Sequence, residues 1–466
     1  MTMAGGRVRA ALFPQVAALA LCALAGCATV YNKADNKPWV PGSSPSMGAP
    51  SDVMHENSIV LTFSGGGLRA SAFALGVLDA LEDARTADGD LLDDVSLISS
   101  VSGSSLTSAY YGLYGRDGMK RFRDEVLLPG FESGMRLSLS PDNLLRMLHG
   151  GLNSREAFGD VLDKKVFHGA TFADLYRRGR PDVRIHATDL YNRVPFPFLP
   201  DVFNVICSDI ASYPIADAVA ASMAVPLVFA PIVVRTFPGD CPPLPEGVEN
   251  LRRSARQSQS LDSIAQSHAT YRDSKVHYIK LADGGLTDNY AVSLITNLRI
   301  AYGTPYAPMT ARDAVRVRRL LVMVVDASHA PSGDWIDHEE GPVGLDLALS
   351  ATDAAVDTAA KLAVDEFDRM IDDWHKSVVA FRCGLTKEEA ARLGAPAIWQ
   401  CADVTFTLAH LSVRDLPSPY RERVQSIPTR LTLPKEQVDE AIEGARVGTL
   451  ALPQLEVYRR DRYRAP

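Results

Sequence analysis

Apolar residues in this chain gather in short unbroken runs: Ile59 to Phe63, Val95 to Ser100, Val183 to Thr188, Leu227 to Val234, Val276 to Leu281 and Leu320 to Val325. Runs of that length, apolar on both faces, mark strands that are covered from both sides. Helix-period patterns lie between several of them, and this alternation predicts a three-layer α/β/α domain on a mainly parallel sheet. Further on, Leu345 to His375 alternates alanine-rich and acidic positions at helical spacing, which predicts one long amphipathic helix packed on that sheet. No internal repeat is present.

The polar stretches set the boundaries. Two arginines, Arg7 and Arg9, precede an apolar run too short for a comfortable spanning helix, so residues 1–26 read as an export signal. The run closes in Leu24-Ala25-Gly26-Cys27, which resembles the lipobox of bacterial lipoproteins; the resemblance implies that Cys27 is lipidated and that the mature chain is membrane-anchored. Ala28 in the next position implies the outer membrane. Residues 27–57, rich in Pro, Gly, Ser and Asn, then read as the anchor and a flexible tether. The rest, 58–466, reads as one domain with a helical C-terminal extension. Thr236 to Ser274, polar and punctuated, is expected to be a surface excursion between two core strands.

Composition narrows the class. With 46% hydrophobic and 22% charged residues over 466 positions, the chain is globular and long enough to bury a full core. Its formal charge of -8 argues against nucleic acid as a partner. Setting aside Cys22 in the leader and Cys27, an even number of cysteines remains, Cys207, Cys241, Cys383 and Cys401, which allows disulfides in an exported protein. Proximity favours Cys383 with Cys401. No closely spaced ligand pair suggests a zinc site, and no metal or cofactor is expected.

Two strand ends carry the chemistry. The first strand runs into Gly65-Gly66-Gly67 and then Leu68, Arg69 and a helical pattern, so the loop amides would lie at a helix N-terminus and attract negative charge. A Walker loop is excluded, because no Gly-Lys-Ser/Thr follows. Gly65, Gly67 and Ala70 fit a dinucleotide fingerprint, but the second strand closes in Ser99 and Ser100 rather than the acidic residue a ribose needs. An oxyanion hole is the third reading. Its partner is the turn Ser100-Val101-Ser102-Gly103-Ser104, which fills a GxSxG nucleophile elbow with serine at both outer positions. A serine needs a base, and Asp283, closing the strand VHYIKLA before Gly284 and Gly285, is the candidate. Among histidines, His329 has the best setting but sits in a plain Ala-Ser loop.

Taken in order, GGGLRA, the serine elbow, AVAASMAVPLVFAPI at Ala218 to Ile232 and ADGGLTDN at Ala282 to Asn289 closely resemble the patatin-like phospholipase family. The resemblance runs from about Ile59 to Asp326. It implies a three-layer α/β/α fold and a lipid acyl hydrolase with a Ser-Asp dyad. Position by position it implies Ser102 as nucleophile, Asp283 as base, and the amides around Gly65, Gly66 and Gly67 as oxyanion donors. Arg69 would steer a phosphate or brace the loop. Lipid or another acyl ester is the implied substrate. The contrasting reading is a catalytically quiet module that keeps the fold for binding or scaffolding.

Overall fold

The computed structural model describes residues 30–42 and 54–462, apart from 88, 139, 180, 240, 274, 329–332 and 397. Cys27 and the leader lie outside the described residues, as does His329.

An eight-stranded sheet forms the middle layer. Its strands are β1 (Asn57–Phe63), β2 (Val95–Val101), β3 (Asp182–Asp189), β4 (Val194–Pro197), β5 (Ile232–Arg235), β6 (Tyr278–Asp283), β7 (Arg319–Asp326) and β8 (Thr405–Ser412). The order across the sheet is β8-β7-β1-β2-β3-β6-β5, with β4 paired to β3 off that path. From β8 to β3 every pairing is parallel, whereas β4, β5 and β6 run antiparallel to their neighbours. The six sequence-predicted strands are all present; one of them, β6, is reversed, and β5, antiparallel to β6, runs in the common direction again.

Helices cover both faces. They include α1 (Gly67–Asp83), α2 (Gly103–Phe122), α3 (Ile215–Ser222), α4 (Glu246–Ser254), α5 (Gln259–Arg272), α6 (Ser293–Tyr302), α7 (Gly344–Cys383) and α8 (Lys435–Leu450). Strand side chains alternate between the two cores they help to build. Ile59, Leu61, Phe63 and Ile98 pack with α1, while Val60, Leu97, Val322 and Val324 pack with Phe367, Ile371, Trp374 and Val378 of α7. Burying an apolar side chain on either side stabilises by roughly 1.5–3 kcal/mol each, so an unbroken apolar run is the economical sequence for these strands.

The stretch after β7 is woven into the domain. It supplies the edge strand β8 and the helix α8, which lies so close to α1 that Gly76 abuts the Ile442 carbonyl and Ala445. The stretch between β5 and β6 is folded: its helices α4 and α5 bury Val248, Leu251, Leu261, His268 and Tyr271. Apolar residues there are sparse, but they recur at helical spacing on one face.

Residues 30–39, within the stretch read as a tether, are pinned along the body. Asn32 Nδ2 donates to the Ala230 and Pro231 carbonyls at 3.0 Å each. Asn36 Nδ2 donates to Ser208 Oγ and to the Arg235 carbonyl at 2.8 Å, and Asp35 pairs with Arg155 at 3.2 Å. Cys383 is bonded to Cys401, as proximity favoured, and Cys207 is bonded to Cys241.

Candidate active site

Strand β2 ends in an abrupt turn into α2, and Ser102 is the residue at its apex, with φ 54° and ψ −131°. A side chain there is strained by about 1–3 kcal/mol, so neighbouring bonds must hold it. Ser222, at the end of α3, does so: its Oγ donates to the His186 carbonyl at 2.6 Å and accepts the Ser102 amide at 2.8 Å. The turn also brings backbone against backbone, because a Cβ on Gly103 would run into the Gly67 carbonyl oxygen. The steric demand for glycine therefore falls at Gly103. Ser100 is accommodated inside β2 with its Oγ donating to the Arg184 carbonyl at 3.4 Å, and Ser104 Oγ donates to the carbonyls of Ser64 and Val101.

Asp283 reaches this turn from the opposite direction. It sits at the carboxyl end of its strand, as the sequence suggested, and that strand, β6, descends antiparallel along β3, with Asp283 level with Ala187 and Val101 level with His186. The strand thus stops where Ser102 begins. Its end is fixed by the Asp283 amide donating to the Ala224 carbonyl at 2.9 Å and the Gly284 amide donating to the Ser222 carbonyl at 3.2 Å.

The two side chains meet: Ser102 Oγ donates to Asp283 Oδ2 at 2.8 Å, and the Gly285 amide donates to Asp283 Oδ1 at 2.9 Å. Ser102 is 6% exposed and Asp283 8%. Burial pushes the Asp283 carboxyl up to about 6, and the bonds from Gly285 and Ser102 only partly oppose that shift. No histidine ring enters the pair among the described residues; His186, one strand away, turns its Nε2 to Ser99 Oγ at 2.8 Å.

The glycine loop faces the same serine. A Cβ on Gly65 would lie 3.0 Å from Ser102 Cβ. Gly66 (φ 141°) and Gly67 (φ 58°) take backbone conformations that side chains disfavour, and the loop opens directly into α1. The Gly65 amide is not available as an oxyanion donor, because it donates to Asn289 Oδ1 at 3.2 Å. The amides of Gly66, Gly67 and Gly103 have no acceptor among the described residues. These donors cluster at two helix N-termini beside a buried serine, an arrangement that favours negative charge.

Arg69 braces the loop. Its Nε donates to the Ala327 carbonyl at 2.8 Å, its Nη1 to the Ile427 carbonyl at 2.6 Å and its Nη2 to Thr429 Oγ1 at 3.1 Å. Fully buried, with its pKa lowered to about 10 by desolvation, it is committed to these acceptors and faces no solvent phosphate. The same C-terminal segment seals the loop from outside, since the Leu68 amide donates to the Arg430 carbonyl at 2.8 Å. Ser222 and Asn289 lie inside motifs visible in the sequence, whereas nothing in the sequence marks Ile427 to Arg430.

The chain belongs to the patatin-like phospholipase family, whose sequence model matches residues 61–295. Among solved structures, human GIVD cytosolic phospholipase A2 is similar at 14% identity and a TM-score of 0.44, over 87% of this chain and 62% of that one. No curated protein matches.

Proposed function

We propose that the protein is a serine lipid acyl hydrolase of phospholipase A type, working through Ser102 and Asp283. The observation that carries this reading is the 2.8 Å bond between a strained, buried serine and a carboxylate that no cation among the described residues neutralises. At neutral pH the carboxyl is largely ionised yet more basic than a free aspartate, which suits a general base.

Asp283 takes the Ser102 proton as Oγ bonds to the ester carbonyl carbon, whose π electrons move onto oxygen. The amides of Gly66, Gly67 and Gly103 stabilise that oxyanion. Collapse breaks the bond to the alkoxide, which leaves with the proton held by Asp283, and an acyl-enzyme remains. Water, deprotonated by Asp283, then releases the fatty acid and restores Ser102. Each oxyanion donor is worth about 2.7–4 kcal/mol of barrier.

Membrane attachment through an acylated Cys27 belongs to the same proposal and places the enzyme among its substrates. Hydrolysis of a short nitrophenyl ester and of phospholipid by the parent, abolished by Ser102→Ala, is the expected result. A parent that hydrolyses neither would mark the protein as a quiet binding module.

A further inference from the structure

The helix Pro141–Leu148 buries Asn143 and Met147 but leaves Leu144 and Leu148, one turn apart, 51% and 71% exposed. Its other exposed positions are Pro141 and Asp142, and Asp142 is paired with Arg136 at 3.2 Å. The outer face is therefore apolar without an unpaired acid. The N-terminal strap arrives at the same place. Val30 donates its amide to the His149 carbonyl just past the helix, Asn32 Oδ1 accepts the Arg155 amide at 2.7 Å, and between them Tyr31 is 73% exposed.

Three peptide units separate Val30 from Cys27, a reach of at most about 11 Å. An acyl group on Cys27 would enter a bilayer within that distance of the pinned Val30, and hence beside Tyr31 and Leu148. The face also adjoins the catalytic end. Glu132, nine residues before the helix start at Pro141, binds Arg430, whose carbonyl holds the Leu68 amide. On the far side, the amides of Leu152 and Asn153 donate to the carbonyls of Leu227 and Val228, in the segment that follows Ala224, which holds Asp283.

We propose that the face carrying Tyr31, Leu144 and Leu148 docks on a lipid bilayer and presents the Ser102 site to it. Isolated leucines on a surface are ordinary, but here chain length, charge and position single out the same face. No helix among the described residues is long and apolar enough to cross a membrane, so this contact would be interfacial. The inference rests on the lipid-hydrolase reading and on acylation of Cys27, yet its test needs neither.

The chain from Ala28 onward, which keeps every described residue, is sedimented with phosphatidylcholine vesicles, and its hydrolysis of soluble nitrophenyl acetate is followed in parallel. The parent is expected to bind. Leu144→Asp with Leu148→Asp is expected to lower the partition constant by at least about tenfold, because two leucyl side chains that enter the bilayer are lost, with melting and soluble-ester hydrolysis unchanged. A parent that stays in solution, or a double variant that binds as well as the parent, overturns the docking face. So does a parent that is dimeric and falls to monomer in the double variant, because the face would then serve a second copy. Vesicle binding without ester hydrolysis supports the docking face while refuting the catalytic reading; hydrolysis without vesicle binding does the reverse.

Discussion

Asp283 and Asp326 each close a buried strand and are each followed by a small residue, yet their surroundings give them different chemistry. Asp326 accepts the Ser328 amide at 2.8 Å, Ser412 Oγ at 3.4 Å and the Tyr290 hydroxyl, and the charge of Arg69 acts on it. Among the described residues Asp283 meets only neutral donors, one of which is the hydroxyl of a serine held in strained geometry. On the proposed reading, Asp283 can act as a base because it is buried with no cation beside it among the described residues and an antiparallel strand brings it to Ser102.

Neutralising each aspartate in turn separates the two most strongly. Ser102→Ala and Asp283→Asn are each expected to lower kcat/KM for an ester by at least about 10³-fold, whereas Asp326→Asn should stay within about tenfold of the parent. Equal losses at the two aspartates in steady-state assays would dissolve the distinction. Gly103→Ala comes next, because its Cβ has no space beside the Gly67 carbonyl. It should cost about 1–3 kcal/mol in denaturant unfolding and separate the glycine loop from the elbow, and an active, fully stable variant would contradict the crowding.

The pH profile gives a smaller effect. With the Asp283 carboxyl near 6, kcat/KM should rise with pH and level off above that value. An acid limb near the ordinary carboxylate value would deny Asp283 its burial effect. Stability should move the other way. The folded state keeps the proton to about 6 while an unfolded aspartate releases it near 4, so stability is lost as pH rises through that window, by up to about 3 kcal/mol. Asp283→Asn should therefore be more stable than the parent at about pH 8, with the difference vanishing towards pH 4. A variant less stable at every pH would show that the carboxylate supports the fold instead of straining it.

Much of the architecture was legible because buried strands and amphipathic helices write their periods into the chain. β1, β2, β3 and β7 lie within a residue or two of their apolar runs, and α7 extends its predicted span only at the ends. Strand direction was not legible: VHYIKLA is equally apolar whichever way it runs, so the reversal of β6 that brings Asp283 to Ser102 is a tertiary fact. β4, with Pro195 and Pro197, and β8, only half-buried, lack the unbroken runs that mark central strands. At the site, Ser102 and Asp283 could be named because turn chemistry surrounds them. The crowding at Gly103, the diversion of the Gly65 amide to Asn289 and the burial of Arg69 depend on segments far away in the chain, among them Ile427 to Arg430.

Covalent labelling reports on the Ser102–Asp283 pair itself. A fluorophosphonate should add once to the parent, with the adduct mapped by mass spectrometry to Ser102, and the reaction should be abolished in Ser102→Ala and slowed at least about 10²-fold in Asp283→Asn. An adduct on another serine, or labelling of Ser102 at the parental rate without the Asp283 carboxylate, would contradict that pairing.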